Sequence, residues 1–171
     1  MTFHNHQFPL PTFHARTKAI HVIIESPRGS RNKYVYDEKS ALLRLKKVLP
    51  AGMSFPFNFG FVPGTRGGDG DPLDAVILFD EPLVPGSFVR GRILGAILAT
   101  QKRKAGYIRN DRFIVEPILD SAQPKICNFQ MVLNEMEKFF VTSHQLEGRD
   151  FRVIKCVGRR EANALVAQAI I

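Results

Sequence analysis

The chain has 171 residues, of which 44% are hydrophobic and 23% are charged, and its formal net charge is +8. These values are ordinary for a globular protein and predict one domain over residues 1–171. No run of about 18 apolar residues is present, which excludes a membrane-spanning helix of the usual kind. Two cysteines that lie far apart and form no CxxC motif favour a reducing compartment with free, buried thiols, so we expect a cytoplasmic protein.

The first two thirds of the chain predict short β-strands. Residues 1–17 contain three histidines and two prolines without helical or strand spacing, and they predict an irregular N-terminal arm. The predicted strands cover residues 21–25, 33–37, 42–49, 53–65, 75–79, 87–99, 111–117 and 151–157. Residues 42–49 are also compatible with a helical turn, and residues 101–110 predict a charged hairpin loop.

The periodicity of apolar residues changes near residue 129. Phe129, Met136 and Phe140 fall on one helical face, and Gly148 ends that helix. A second helix, rich in alanine, is predicted over residues 161–171. Many short strands followed by two helices predict an α+β fold built on a small barrel, and the glycines within residues 87–99 indicate bends in such a barrel.

An acidic turn precedes the strand predicted over residues 75–79. Asp69, Asp71 and Asp74 lie within six residues, on a turn made of glycine and Pro72. Carboxylates this close repel one another unless a cation lies between them or one takes a proton, and Mg²⁺ prefers oxygen ligands. The turn therefore indicates a site for a divalent metal, although an ordinary acidic surface turn remains an alternative.

Two linked motifs carry a resemblance to a known family. They read Phe55-Pro56-Phe57-Asn58-Phe59-Gly60-Phe61-Val62-Pro63-Gly64-Thr65 and Asp69-Gly70-Asp71-Pro72-Leu73-Asp74. Together they resemble the soluble family I inorganic pyrophosphatases, over about residues 22–157. The resemblance implies an OB-like five-stranded β-barrel with flanking helices and Mg²⁺-dependent hydrolysis of pyrophosphate to two phosphates. It also implies a homo-oligomer, which is often a hexamer among bacterial members.

The same resemblance implies roles for individual residues. Asp71 would be the general base beside a metal-activated water. The implied metal ligands are Asp69, Asp74, Glu25 at the outer rim and, if the strand register allows, Asp111. The implied phosphate-binding residues are Lys33, Lys47, Arg112 and His144, the last as a hydrogen-bond donor that adds pH sensitivity.

Several residues depart from the family pattern. Val35 stands in place of a glutamate, and Phe59 and Ser143 stand in place of tyrosines. Gln101 and Asn110 stand where the family has the two aspartates of a second metal-binding loop. Because these changes remove negative charge from the metal side, we expect fewer metal ions, or ions that are held more weakly.

Three functions remain open from the sequence. The first is an active, divergent pyrophosphatase, and the second is a protein of the same fold with weak or altered activity that binds phosphate compounds. The third is a nucleic-acid-binding module, which is not expected because no aromatic residues interleave the basic runs and the acidic turn would repel phosphates. Without the resemblance, Glu25, Lys33, Lys47 and Arg112 are also compatible with structural ion pairs or solvated positions.

Overall fold

The computed structural model describes residues 10–37, 39–120 and 129–171, which form nine β-strands and two α-helices. In chain order these are β1 (Ile20–Ser26), β2 (Asn32–Asp37), β3 (Leu42–Val48), β4 (Asn58–Val62), β5 (Leu73–Ile77), β6 (Phe88–Arg103), β7 (Gly106–Arg109), β8 (Arg112–Pro117), α1 (Phe129–Leu146), β9 (Phe151–Gly158) and α2 (Arg159–Gln168). The strand predicted over residues 42–49 is β3, and not a helical turn. None of the described helices is long and apolar enough to cross a membrane.

Five of the strands pair in a closed ring. β1 pairs with β4, β4 with β5, β5 with β8, β8 with β6, and β6 returns to β1. Within this ring of described strands, only the β5–β8 pairing is parallel. β7 and β9 extend the sheet from β6, and β2 pairs with β3 in a separate two-stranded sheet. The predicted α+β fold, with a small OB-like five-stranded barrel and flanking helices, is therefore confirmed.

The two faces of β5 pack into different cores. Ala75 and Ile77 belong to one core, which also contains side chains of β1 and α2. Val76 belongs to a second core, which contains Met136 and Phe140 of α1. Because successive side chains of a strand point to opposite faces, Asp74 lies on the same face of β5 as Val76, towards α1.

Two glycines allow β6 to curve and to pair with several strands. A Cβ atom on Gly91 would lie 2.2 Å from the Val115 side chain, and one on Gly95 would lie 2.4 Å from the carbonyl oxygen of Val157. The register between β6 and β8 also shifts between Ile93 and Gly95. The bend expected from glycines in this strand is confirmed, since neither position has room for a side chain.

Two predicted boundaries are wrong. The strand expected over residues 53–65 is limited to Asn58–Val62, and residues 101–110 are not a loop. Instead, β6 continues to Arg103 and β7 pairs with its end. The side chains of this hairpin are largely exposed, so the alternation of apolar and polar residues that identifies a half-buried strand is missing.

The ends of the chain differ in part from expectation. Residues 10–17 are irregular, as predicted, but Thr12 is buried and its hydroxyl donates to the Pro63 carbonyl at 2.8 Å. The second helix is α2, which ends at Gln168, short of residue 171. Cys156 is free but exposed, so its predicted burial is wrong. His4, His6 and Cys127 lie outside the described residues.

Candidate functional site

One cleft on the α1 side of the barrel collects most of the predicted site residues. Four acidic side chains line it, namely those of Glu25, Asp69, Asp71 and Asp74. Six basic side chains also line it, namely those of Lys33, Lys46, Lys47, Arg103, Arg112 and Arg149. The cleft is therefore a place where a dense anion and a cation can be held next to each other.

The acidic turn is closed by its own backbone. Gly67 N–H donates to the Asp71 carbonyl at 2.8 Å, and Gly70, with φ of 88°, makes the reversal that glycine allows. The Thr65 hydroxyl accepts from Leu73 N–H at 3.1 Å and so ties the turn to the start of β5. Glycine and a short polar side chain thus present the carboxylates at the end of a buried strand.

Repulsion and burial act together on the acidic residues. Burial, and then the charge of Asp74, raises the pKa of Glu25 to about 7, although its Oε1 accepts from Tyr36 N–H at 2.7 Å. Burial, followed by the charges of Asp74 and Asp71, also raises the pKa of Asp69. These carboxylates carry negative charge that a bound cation would compensate.

Asp74 is paired with a buried arginine. Arg112 Nη1 lies 2.6 Å from Asp74 Oδ2, and the two residues are directly opposite in the parallel β5–β8 register. The guanidinium carbon lies 5.0 Å from the ring centre of Phe140 and 5.8 Å from that of Phe151. Arg112 is therefore held by both an ion pair and cation–π contacts.

Asp111 is not brought to the cleft. Its Oδ1 accepts from Ala99 N–H at 3.0 Å and from Arg109 Nε at 2.5 Å, and the side chain is not part of the cleft lining. Neighbouring side chains of an extended segment point to opposite faces, so Asn110 and Arg112 line the cleft while Asp111 points away. The structure thus does not support Asp111 as a metal ligand.

The two predicted phosphate-binding lysines lie side by side. Lys33 of β2 is directly opposite Lys47 of β3. Burial lowers the pKa of Lys33, and burial followed by the charges of Lys33 and Arg149 lowers the pKa of Lys47 to about 8. Lys47 Nζ is paired with Glu147 just beyond the end of α1. Below pH 8, Lys47 presents a positive charge to an anion, next to Lys33.

His144 has a different state from the one expected. Its Nδ1 lies 2.7 Å from the Phe140 carbonyl oxygen, its ring lies 4.8 Å from that of Phe151, and burial lowers its pKa to about 4. A carbonyl only accepts hydrogen bonds, so Nδ1 carries the proton and Nε2 of the neutral ring is an acceptor. With this pKa, His144 is uncharged at neutral pH and offers Nε2 as an acceptor, and not as the donor that the resemblance implies.

Apolar side chains replace expected polar groups in part of the lining. The rings of Phe55, Phe59 and Phe139 pack at centroid distances between 5.0 and 5.8 Å, and Val35 also lines the cleft. Ser143 is buried and donates to the Phe140 carbonyl at 3.1 Å. None of these side chains supplies a charge to a metal or to a phosphate.

Comparison with known proteins bears on the identity of this site. The family model described as inorganic pyrophosphatase matches residues 22–171. The chain is 34% identical to the inorganic pyrophosphatase of Thermus thermophilus over 160 residues, covering 93% of this chain and 91% of the relative. It is also 34% identical to that of Streptomyces coelicolor over 153 residues, covering 86% and 91%.

The chain belongs to the inorganic pyrophosphatase family. Solved structures agree with this assignment. The inorganic pyrophosphatase from Neisseria gonorrhoeae matches with a TM-score of 0.83 at 25% identity, covering 96% of both chains. The one from Thermus thermophilus matches with a TM-score of 0.78 at 33% identity, covering 94% of both chains.

For a pyrophosphatase-family chain, the acidic side of the cleft fits a divalent cation in part. Its donors are carboxylate oxygens, which suit Mg²⁺, and their mutual repulsion favours a cation. Within the described part of the chain, however, no group of three or more His, Cys, Asp or Glu side chains is close enough to hold a metal by itself. The site thus fits an ion that water and substrate phosphates also coordinate, as is common for Mg²⁺.

The part of the cleft lined by Gln101 and Asn110 does not fit a metal. The Gln101 side-chain amide is oriented so that its oxygen accepts from Arg103 Nη2 at 2.8 Å and from Asn110 Nδ2 at 2.8 Å. Asn110 Oδ1 in turn accepts from Arg112 Nη1, which is paired with Asp74. We refer to Arg103, Gln101, Asn110 and Arg112 as the guanidinium–amide chain.

Three basic residues of the cleft were not predicted from the sequence, namely Lys46, Arg103 and Arg149. Lys46 has no partner in the β2–β3 register, because that register shifts after the Lys33–Lys47 pair. Arg103 approaches because β6 extends to it, beyond the strand that apolar alternation indicates. The net charge of +8 was the one sequence signal for these residues, and a net charge does not show which basic residues line a site.

Proposed function

We propose that this chain hydrolyses inorganic pyrophosphate to two phosphates in a reaction that depends on Mg²⁺. The supporting observation is that the acidic turn and six basic side chains line one cleft in a chain of the inorganic pyrophosphatase family. Pyrophosphate is densely anionic, so a site for it needs positive charge near the phosphates and a group that can take a proton from water.

The acidic residues divide into two roles in this proposal. Asp69, Asp74 and Glu25 hold the cation, which when bound neutralises phosphate charge and lowers the pKa of water. The Asp71 carboxylate is exposed and makes no hydrogen bond or ion pair to any described residue, so it is free to accept a proton from the attacking water. The oxygen of that water bonds to one phosphorus, the bond from this phosphorus to the bridging oxygen breaks, and the second phosphate leaves.

The basic residues hold the substrate. Lys33 and Lys47 lie directly opposite each other on the β2–β3 sheet, and Arg112 faces them from the same cleft. Their charges hold the two phosphoryl groups and offset the negative charge of the departing phosphate. The Phe55, Phe59 and Phe139 cluster keeps part of the cleft apolar, which strengthens these interactions by lowering the local dielectric.

Phosphate release from pyrophosphate in the presence of Mg²⁺ tests this proposal. A general base contributes about 100- to 10,000-fold to the rate, so Asp71→Asn should lose at least a hundredfold in kcat. The matched control is Asp80→Asn, because the Asp80 side chain is 98% exposed and pairs with Arg28 outside the cleft. Absence of phosphate release by micromolar wild-type protein, or equal release by Asp71→Asn, would refute the proposal.

The guanidinium–amide chain favours a second candidate function, in which the cleft binds pyrophosphate or a related phosphate compound with little turnover. Neutral Gln101 and Asn110 in this chain leave fewer carboxylates for metal ions than the family pattern implies. Calorimetric titration with pyrophosphate and Mg²⁺ separates the two candidates. Binding without phosphate release supports the second, and rapid turnover excludes it.

The proposal extends to the state of the protein in the cell. Exposed apolar side chains, including Leu42 on β3, Val84 and Phe88, support a homo-oligomer, and the family resemblance suggests a hexamer. Light scattering on the purified protein tests this, and a monomer would refute it.

We also propose a cytoplasmic location, consistent with the free thiol of Cys156, and cell fractionation tests it.

A further inference from the structure

The guanidinium–amide chain is a built part of the cleft. Gln101, Asn110 and Arg112 are buried, with exposed fractions of 6%, 9% and 5%. Their side chains are joined to one another and to Arg103 without a break. The described residues contain no fully buried side-chain nitrogen or oxygen without a hydrogen-bond partner. Such a connected polar network holds its members in one arrangement.

This arrangement opposes metal binding on its side of the cleft. The amide oxygens of Gln101 and Asn110 already accept from guanidinium groups, so a cation would have to displace those donors. It would then lie beside the positive charges of Arg103 and Arg112, with no added carboxylate to compensate them. Where the family pattern has two aspartates, this protein has Gln101 and Asn110, whose neutral amide oxygens already accept hydrogen bonds.

The same arrangement leaves donors for an anion. All hydrogen bonds from Arg112 to described residues start at Nη1, so its Nε and Nη2 edge has no such partner. Because no fully buried side-chain nitrogen of the described residues is unpartnered, this edge reaches the open cleft that Arg112 lines. An arginine edge with two parallel N–H groups matches two oxygens of a phosphoryl group.

We propose that the guanidinium–amide chain binds one phosphoryl group of a pyrophosphate-class anion directly, where the family pattern would use metal ions. The cleft then binds this anion without a divalent cation, and a cation at the acidic side is needed for hydrolysis only. The six basic side chains that line the cleft outnumber the four acidic ones, and this excess favours an anion in the absence of a cation. The identity of the anion rests on the proposed function.

Titration calorimetry with imidodiphosphate, an analogue with a bridging NH group, tests the inference. We expect the affinity of the wild-type protein in EDTA to stay within tenfold of its affinity in Mg²⁺. Arg103 is the exposed member of the guanidinium–amide chain, and Arg103→Gln should weaken binding in EDTA at least tenfold. Arg152→Gln is the control of equal charge, since Arg152 pairs with Asp150 and is not part of the cleft lining. No binding in EDTA, or equal weakening in the control, would overturn the inference.

A reciprocal variant gives a second test that removes no arginine. In the double variant Gln101→Asp/Asn110→Asp, new carboxylates neutralise the two guanidinium groups. Binding of imidodiphosphate in EDTA should fall at least tenfold, and added Mg²⁺ should restore it. Wild-type affinity of this variant in EDTA would contradict the inference.

Phosphate release, measured in parallel with Mg²⁺, separates the two proposals. Hydrolysis without binding in EDTA overturns only the inference about the guanidinium–amide chain. Binding in EDTA without hydrolysis overturns only the proposed function. Circular dichroism and thermal unfolding of each variant show whether a loss of binding reflects a loss of fold.

Discussion

Replacement of Glu25 by glutamine should remove a pH-dependent loss of stability in the metal-free protein. Burial and the charge of Asp74 raise the pKa of this carboxyl from 4.5 to about 7. Because the folded state binds the proton more tightly than the unfolded state, Glu25 contributes most to stability below pH 4.5, and that contribution is lost as the pH rises through 7. A tenfold change in proton affinity corresponds to about 1.4 kcal/mol, so the loss is about 3 kcal/mol.

The measurement is the free energy of unfolding in urea at pH 5 and pH 8, in EDTA. In Glu25→Gln the amide oxygen can still accept from Tyr36 N–H, which Glu25 Oε1 accepts at 2.7 Å, while the charge is absent. The variant should therefore gain up to about 3 kcal/mol over wild type at pH 8 and little at pH 5. Glu161→Gln is the matched control, because Glu161 is half exposed and pairs with Lys155 at the surface.

Two results would refute this reasoning. One is a change in the free energy of unfolding between pH 5 and pH 8 that is equal in wild type and in Glu25→Gln. This would mean that Glu25 does not titrate in this range. The other is a similar gain at pH 8 in Glu161→Gln, which would assign the effect to net charge. Mg²⁺ should reduce the gain of Glu25→Gln at pH 8, since a cation near the acidic turn favours the ionised carboxylate.

Three further predictions concern the core, β6 and His144. Met136→Ala should lower the free energy of unfolding by about 2–5 kcal/mol because Met136 is fully buried, whereas the exposed Met131→Ala should stay within about 0.5 kcal/mol, both measured in urea. Gly95→Ala should lower the melting temperature sharply because its Cβ would lie 2.4 Å from a backbone oxygen of β9, whereas Gly158→Ala, with open space around its Cβ, should have a small effect. Burial lowers the pKa of His144 to about 4, so its imidazole resonances should titrate near pH 4 in NMR spectra. Because the unfolded ring takes up its proton near pH 6.5, His144 should reduce stability as the pH falls below that value, and a titration near pH 6.5 in the folded protein would contradict this.

Much of the acidic side of the site could be predicted from the sequence. Asp69, Asp71 and Asp74 are fixed by a local turn whose glycines and Pro72 are visible in the chain, so their shared cleft follows from short-range geometry. Several barrel strands could also be predicted, because they are short apolar runs, as is typical of strands that are buried on both faces. The long hairpin of β6 and β7 could not, since an exposed hairpin shows no such run.

The basic side depended on how distant segments pair. Side chains alternate along a strand, so a shift of one residue exchanges the faces, and the register after β7 directs Asn110 and Arg112 into the cleft and Asp111 away from it. The parallel β5–β8 pairing places Arg112 against Asp74. Burial of the His144 ring, which packs on Phe151 of β9, lowers its pKa to about 4.

The sequence by itself therefore determined the fold class and the acidic turn, because periodicity and turn chemistry act over a few residues. Only the tertiary structure decided which charges the turn faces. Arg112 reaches the cleft through the pairing of β8 with β5, which lie far apart in the chain. Arg103 and Lys46 reach it through the β6–β7 and β2–β3 hairpins, whose length and register are set by backbone pairing that the side-chain pattern does not show.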